Sequence, residues 1–244
     1  MSPAFYLKYV TIFLNKFPQG QFPQGRSSFR KDGPCGMYKI TKQNYIDTEE
    51  KFFASILKSF GDNLLLYCVT GSLSRNEVIP RWSDIDVLMV MKECNLVTLS
   101  KIEEVLKETQ TNIKIGITLY SLSEFNNLFF KDSKTYLSIK YISEKYYIPR
   151  ILSPEIKIQL LPEEMFRHND AFEFARFVHD LKRELLIKDI RNERKVYKLS
   201  ITLLKITLRQ RGIIALGYKE TIDKAEKNLP NFSEINIVEP EEVM

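Results

Sequence analysis

Two aspartates, Asp84 and Asp86, stand one residue apart at the start of an apolar run that ends at Met91. Side chains in a β-strand alternate between its faces, so both carboxylates are expected on one side and Ile85 in the core. Two carboxylates this close repel each other unless a cation lies between them. Hard oxygen ligands on a rigid strand suit Mg²⁺ or Mn²⁺. The spacing therefore predicts a divalent-metal site, although a lone Asp-x-Asp is also common on solvated strand ends.

A glycine-serine pair, Gly71 and Ser72, precedes these carboxylates and directly follows another apolar run, LLLYCVT. Glycine carries no Cβ, so the backbone at this turn can approach a phosphate closely. The Ser72 hydroxyl and the N–H groups that follow it can donate to phosphate oxygens. Together the two motifs predict metal ligands and a phosphate-binding turn at neighbouring strand ends.

The two motifs form one longer pattern, which consists of Gly71, Ser72, Arg75, Glu77, Ser83, Asp84, Ile85 and Asp86. This pattern resembles the signature of the DNA-polymerase-beta-like nucleotidyltransferase superfamily. Within that superfamily it is most similar to the minimal nucleotidyltransferases and to the aminoglycoside and lincosamide nucleotidyltransferases. Asn76 stands where their pattern has a second glycine. The joint motif is more specific than either part alone.

The resemblance implies transfer of a nucleoside monophosphate, AMP by default, from a triphosphate such as ATP to an acceptor hydroxyl. It implies that Asp84 and Asp86 are catalytic residues that bind Mg²⁺ or Mn²⁺. The residues that would then contact the nucleotide are Gly71, Ser72, Arg75 and Ser83. The acceptor stays open, since a small molecule, a protein side chain and an RNA end all suit the same metal site.

A third carboxylate, which the resembling family carries on its next strand, is missing from the expected face. That face holds Lys114, Gly116, Thr118 and Tyr120, none of which is acidic. Three interpretations follow. The base comes from elsewhere in the chain, or the domain transfers the nucleotide slowly with two carboxylates, or it binds the nucleotide without catalysing a reaction. The aminoglycoside-modifying relatives take their base from outside the central strands. The candidate bases elsewhere in this chain are Glu144, Glu173, Asp180 and Glu184.

Two alternative functions therefore stay open beside nucleotidyl transfer. The missing acid favours a catalytically degenerate nucleotide-binding or antitoxin-like module. The basic C-terminal helices favour an RNA-modifying nucleotidyltransferase, whose RNA binding would depend steeply on salt. Lys198 on those helices is assigned to the triphosphate, although a solvated helix face would carry the same charge.

Periodicity predicts the elements around the central strands. A helix is expected from Asp47 or Thr48 to Gly61, another over 96–110, and a third strand over 113–120. Ser121 or Ser123 is expected to cap a short helix with Glu124 in its first turn, and this capping explains Glu124 better than a catalytic role does. Residues 134–161 predict a hairpin or two edge strands, because their prolines are excluded from a central strand. Tyr120 and the tyrosines of this region (Tyr136, Tyr141, Tyr146 and Tyr147) are expected to be half-buried strand residues, with stacking on an adenine or acceptor ring as the alternative.

The C-terminal part predicts three amphipathic helices. The first begins near Asn169 and has an apolar stripe that includes Phe172 and Leu181. The second ends at Gly212, and the third begins at Tyr218. The expected fold class is α/β or α+β: a small mixed sheet flanked by helices, then a helical bundle. The expected domains are an extension with a Pro/Gly-rich loop (1–36), a nucleotidyltransferase-like domain (37–165) and a helical domain (166–244).

Composition is that of an ordinary soluble globular chain, with 44% hydrophobic and 27% charged residues. The net charge of +5 suits a protein that handles polyanions. Three cysteines without zinc-site spacing indicate reduced thiols and a cytoplasmic protein. No run reaches the roughly eighteen apolar residues of a membrane span, so no membrane partner is expected. The sequence leaves a homodimer open.

Overall fold

The computed structural model describes residues 40–109, 112–127, 133–160, 163–187 and 193–229. The chain divides into two compact units: one is Met37–Phe166, and the described residues of the other fall within Arg167–Met244. The first unit contains a four-stranded mixed sheet with helices, and the second is helical. The chain is therefore an α+β protein with a helical C-terminal region, as predicted. The extension predicted for residues 1–36 lies outside the described residues.

The first unit alternates helices and strands. In chain order its elements are α1 (Lys42–Phe60), β1 (Leu64–Thr70), α2 (Gly71–Ser74), β2 (Ile85–Met91), α3 (Leu96–Thr109), β3 (Ile115–Ser121), α4 (Leu122–Phe125), α5 (Ser133–Ser143) and β4 (Ile151–Leu152), with a 3₁₀ turn at Gly61–Asn63. The structure confirms the two predicted central strands, β1 and β2, and the polar turn between them. It also confirms the predicted helix α3 and the third strand, β3.

The sheet has the strand order β3-β2-β1-β4. Strand β1 runs antiparallel to β2 and β4, and β3 runs parallel to β2. One face of the sheet packs under α1 and α3: Tyr67 and Met89 are fully buried there with Phe52 and Ile56 of α1. Side chains alternate along each strand, so the residues between these core positions point to the opposite face. That opposite face carries Asp86.

Helix α1 begins at Lys42, so the predicted start at Asp47 or Thr48 is wrong. The Asn44 side-chain oxygen accepts a hydrogen bond of 2.7 Å from the Thr41 N–H, which satisfies one backbone donor at this end. Tyr45, in the added turn, is buried against the core and anchors it. The predicted end is confirmed, because Gly61 terminates the helix with φ of +45°.

Residues 134–161 do not form the predicted hairpin. Their first part is the helix α5, and only Ile151 and Leu152 pair as a short edge strand with β1. Tyr136, Ile139 and Ile142 recur every three residues and are all buried, which is a helical pattern. Tyrosine, isoleucine and threonine favour strands by propensity, and here burial of one helix face overrides that preference.

An ion pair between the buried Glu49 and the exposed Arg150 links α1 to the residue before β4. The Arg150 guanidinium donates to the Glu49 carboxylate and stacks 4.9 Å from the centre of the Phe53 ring. Burial raises the pKa of Glu49 above its ordinary value, an effect that outweighs the opposing charge of Arg150. The backbone N–H of Arg150 also donates to the Tyr67 carbonyl on β1 at 2.9 Å. These contacts of Arg150 therefore hold the start of the short edge strand.

Helix α6 (Glu163–Ile187) begins earlier than the predicted start near Asn169, and its residues before Arg167 belong to the first unit. With α7 (Glu193–Gln210) and α8 (Tyr218–Asn228) it supplies the helices of the second unit. The core of the second unit includes Leu181 of α6 and Leu203 of α7, and α7 ends before Gly212, with φ of +77°, as predicted. Phe172, predicted in the apolar stripe, is instead 74% exposed, while Phe174 is buried. None of the described helices has the length and apolar character that a membrane crossing requires.

Candidate functional site

The Asp86 carboxylate lies between two glycines at one end of the sheet. In the strand register, Asp86 is the neighbour of Thr70 on β1 and of Gly116 on β3. A Cβ on Gly71 would overlap Asp86 Oδ2, and a Cβ on Gly116 would lie 3.5 Å from Asp86 Oδ1. The predicted metal ligand is therefore in contact with the predicted phosphate-binding turn.

Gly71 has two independent reasons to be glycine. Its φ of +70° lies in the left-handed region, where a side chain is strained. The space that a Cβ would need is occupied by the Asp86 carboxylate. The Ser74 hydroxyl donates to the Gly71 carbonyl at 2.9 Å and fixes the turn that continues into α2. The turn can keep this shape only with glycine at its first position.

Asp84 directly precedes β2, and both aspartates of the pair are half-buried. Ile85 between them is fully buried in the core, as the alternation predicts. Its N–H donates to the Lys114 carbonyl at 2.9 Å, which fixes the backbone between the two carboxylates. The structure brings Asp86 and Gly71 together and puts Asp84 one residue before the strand that carries Asp86.

The two predicted serines have different surroundings. Ser72 is buried, and its carbonyl accepts from the Glu77 N–H at 2.9 Å. The Ser83 hydroxyl accepts from the Ile79 N–H at 3.0 Å, while the Ser83 carbonyl accepts from the Tyr45 hydroxyl. Ser83 therefore shapes the turn that leads to Asp84, and a nucleotide contact by either serine stays a prediction.

Arg75 is held by two side chains beside the α2 turn. Its Nε donates to Glu77 Oε2 at 2.9 Å, and its Nη1 donates to the Tyr147 hydroxyl at 3.0 Å. The Arg75 side chain is 14% exposed, so it lies at the surface of the unit but is not freely solvated. The sequence predicted Arg75 at the nucleotide but gave no sign that Tyr147, 72 residues away along the chain, contacts Arg75.

Asn76, which replaces the second glycine of the motif, has φ of +63°. Asparagine tolerates this left-handed conformation better than most side chains do. Asparagine at this position is therefore compatible with the left-handed backbone that the turn adopts. The Lys42 ammonium group donates to the Asn76 carbonyl at 3.0 Å and ties the turn to the start of α1.

We expect Asn76→Ala to lower the free energy of unfolding by about 1 kcal/mol, because alanine is strained at positive φ. Asn76→Gly should leave it unchanged or raise it slightly. Arg81→Gly is a useful reference, because Arg81 also has positive φ, of +66°. Like Asn76→Gly, this variant should leave the free energy of unfolding unchanged or raise it slightly. Urea denaturation of the three variants measures the effect. Equal stability of Asn76→Ala and the wild type would contradict the role given to this backbone conformation.

The position beside Asp86 on β3 is Gly116, so the expected third carboxylate is absent there. Within the described residues no group of three histidine, cysteine or acidic side chains is arranged to hold a metal ion. Glu124 caps α4, as predicted: it accepts from the Ser121 N–H, which lowers the pKa of Glu124. Glu144 lies 3.8 Å from the Lys140 ammonium group in the same first unit.

Under the nucleotidyl transfer that the resemblance implies, we expect Gly116→Asp to raise the Mg²⁺-dependent rate roughly 100-fold, because a positioned carboxylate base typically contributes that much. A Cβ at this position meets Asp86 Oδ1 at an ordinary contact distance of 3.5 Å, so the first atom of the new side chain fits. Gly116→Asn is the matched control, with the same shape and no charge. An equal rate for the aspartate and asparagine variants would contradict the prediction.

Lys198 and three of the proposed bases, Glu173, Asp180 and Glu184, lie in the second unit. Asp180 pairs with Arg183, and the buried Glu184 pairs with Lys195. Lys198 is half-buried on α7. The roles proposed for Lys198 and for these acids stay predictions.

Several basic side chains of the second unit are engaged within it. The pairs are Lys195 with Glu184, Arg209 with Asp170, Lys205 with the Leu216 carbonyl, and Arg211 with the Asn228 carbonyl. The half-buried Arg209 forms two hydrogen bonds to the buried Asp170. These charges stabilise the helices that carry them. The basic residues of the helices are therefore weaker evidence for RNA binding.

The Cys68 thiol lies on the same sheet face as Asp86, two residues before Thr70. It is fully buried, and burial raises its pKa to about 12. A thiol with so high a pKa is protonated at neutral pH and is a poor nucleophile. The chemistry available at this face therefore rests on the carboxylates.

The donor set fits a magnesium ion bound together with a substrate. Mg²⁺ commonly binds to proteins through one or two carboxylates and completes its shell with water and phosphate oxygens. Asp84 and Asp86 supply two carboxylates, and Asp86 lies against Gly71, the first residue of the predicted phosphate-binding turn. No protein-family model matches the sequence, and comparison with curated proteins finds no match.

Proposed function

We propose that the protein is a nucleotidyltransferase that uses Mg²⁺ or Mn²⁺ to move a nucleoside monophosphate, AMP by default, from a triphosphate to an acceptor hydroxyl. One observation carries this proposal: the Asp86 carboxylate packs directly on Gly71. In this proposal the metal ligand and the turn that would bind phosphate are adjacent, which is the arrangement that a metal-chelated triphosphate needs.

The reaction is an in-line displacement at the α-phosphorus. The acceptor oxygen forms a bond to that phosphorus, the bond from the phosphorus to the oxygen bridging to the β-phosphate breaks, and pyrophosphate leaves. The hydroxyl proton passes to solvent or to a carboxylate. A bound Mg²⁺ would supply neutralisation of phosphate charge and orientation of the triphosphate.

The chain's own residues hold and orient the substrate in this proposal. Asp84 and Asp86 hold the cation, and the backbone at Gly71 and Ser72 approaches the phosphates. Arg75 keeps a permanent positive charge beside that turn, which favours a triphosphate and stabilises charge that builds up on the leaving pyrophosphate. Positioning and electrostatic stabilisation supply most of the rate in phosphoryl and nucleotidyl transfer.

A second candidate, nucleotide binding without turnover, is favoured by one observation. Gly116 occupies the β3 position beside Asp86 where the resemblance calls for a carboxylate. Binding of a metal-nucleotide complex needs only the two aspartates and the glycine turn. Deprotonation of an acceptor needs a base as well. The two candidates therefore share a binding site and differ in catalysis.

An assay with labelled triphosphates separates these candidates. The full-length protein is incubated with Mg²⁺ and each α-³²P-labelled nucleoside triphosphate against panels of small hydroxyl compounds, proteins and RNA. Transfer predicts covalent label on an acceptor and release of pyrophosphate, both abolished by EDTA. Saturable binding of Mg-ATP with no label after long incubation supports the binding module instead. Absence of both binding and label contradicts the proposed site.

A further inference from the structure

We propose that Tyr147 is a positioning residue, which orients the Arg75 guanidinium for the triphosphate. This inference rests on the proposed function and extends it to a residue outside the sequence motif. The hydroxyl of Tyr147 accepts a hydrogen bond of 3.0 Å from Arg75 Nη1. Tyr147 comes from the segment after α5, so it joins a distant part of the first unit to the phosphate-binding turn.

Tyr147 is itself fixed in place by its surroundings. Its side chain is buried, and its ring meets the Tyr141 ring edge to face at 5.3 Å between centres. Its backbone N–H donates to the Tyr141 carbonyl at the end of α5, next to Lys145 with φ of +62°. Further along, the Arg150 ion pair holds the same segment against α1 and β1. The hydroxyl is therefore presented from a rigid frame.

The contacts that Arg75 makes with described residues use only some of its N–H donors. A guanidinium has five N–H groups in a fixed planar fork. Glu77 takes the Nε–H and Tyr147 takes one Nη1–H, so the described residues use two of these five. The guanidinium can still offer a bidentate pair of donors to phosphate oxygens.

A hydroxyl suits this task better than a second carboxylate would. Tyr147 is neutral, so it fixes the direction of the guanidinium without cancelling its charge. Glu77 is 43% exposed and partly screened by solvent, so its carboxylate only weakly offsets the Arg75 charge. The Arg75 side chain is only 14% exposed, so its rotation is already restricted before a triphosphate binds. Preorganisation of this kind lowers the entropy cost of binding.

A double-mutant cycle tests whether Tyr147 acts through Arg75. Binding of Mg-tripolyphosphate, which has no base or sugar, is measured by calorimetry for the wild type, Tyr147→Phe, Arg75→Ala and the double variant. We expect Tyr147→Phe to weaken binding roughly tenfold, as for loss of a hydrogen bond to a charged group. In the Arg75→Ala background the same change should have no further effect. Thermal unfolding checks that each variant is folded.

Tyr146→Phe is the matched control, because Tyr146 directly precedes Tyr147 in the chain and is 62% exposed. Its binding of Mg-tripolyphosphate should equal that of the wild type. The inference is overturned if Tyr147→Phe binds as the wild type does, or if its effect persists without Arg75. A wild-type protein that binds neither Mg-tripolyphosphate nor Mg-ATP overturns the proposed function itself, and this inference with it.

Discussion

Replacing Asp86 by asparagine should lower metal-dependent transfer by at least about a thousandfold, while the protein stays folded. Asparagine keeps the size of the side chain but removes the negative charge that a divalent cation requires. The loss of a group that stabilises the transition state electrostatically typically costs about this much. Asp84→Asn should have an effect of the same kind. Initial rates of label transfer under saturating Mg²⁺ and triphosphate measure both.

Glu103→Gln is the control for this prediction. Glu103 is an exposed carboxylate on α3 that pairs with Lys107 at 2.6 Å. Its removal changes the net charge by the same amount as Asp86→Asn but far from the glycine turn in the sequence. Its transfer rate should equal that of the wild type. Unchanged transfer by Asp86→Asn would refute the proposed role of the carboxylate pair.

Replacing Gly71 by alanine should weaken binding of Mg-ATP by roughly 100-fold, since displacement of a binding group by about 1 Å can cost that much. The added Cβ overlaps Asp86 Oδ2, so the carboxylate must move away from the turn. Alanine at φ of +70° also adds strain of about 1–2 kcal/mol. Calorimetry measures the affinity, and urea denaturation measures the strain.

Gly61→Ala separates these two effects within the same unit. Gly61 also has positive φ, of +45°, but a Cβ there would have no neighbour within 4 Å. We expect this variant to lose stability through strain and to keep its affinity for Mg-ATP. If Gly61→Ala and Gly71→Ala weaken binding equally, general destabilisation explains the result. The contact between Gly71 and Asp86 would then have no special part in binding.

Local patterns were sufficient to predict the centre of the first unit. The two apolar strands bury nearly every side chain of β1 and β2, and Ile85 lies in the core as alternation requires. These features depend on neighbours in the sequence, so the sequence contains enough information about them.

Features that depend on distant partners could not be predicted. Residues 133–143 are rich in strand-forming types but form a helix, because packing against the rest of the unit decides their conformation. Tyr147 meets Arg75 across 72 residues, and Arg150 meets Glu49 across 101. Neither pair has a spacing that a helix or a hairpin would produce. A compact fold creates such contacts, and a single sequence gives no signal for them.

The predicted apolar stripe of α6 illustrates a further limit. Phe172 and Phe174 are two residues apart, and only Phe174 reaches the core of the second unit. A sequence rich in phenylalanine leaves the rotation of the helix undetermined, because several stripes of similar hydrophobicity fit. The neighbouring helix then selects one of them through packing. The role assigned to Lys198 depends likewise on the rotation of its helix, α7, which the sequence leaves undetermined.

The most direct test of the central claim is a Mn²⁺ titration of the full-length protein, in which loss of the free-ion electron paramagnetic resonance signal reports binding. We expect saturable binding by the wild type, strengthened by ATP, and loss of that binding in Asp84→Asn/Asp86→Asn. Equal Mn²⁺ binding by the wild type and the double variant, or no binding by the wild type even with ATP, would contradict the claim that these carboxylates form a metal site.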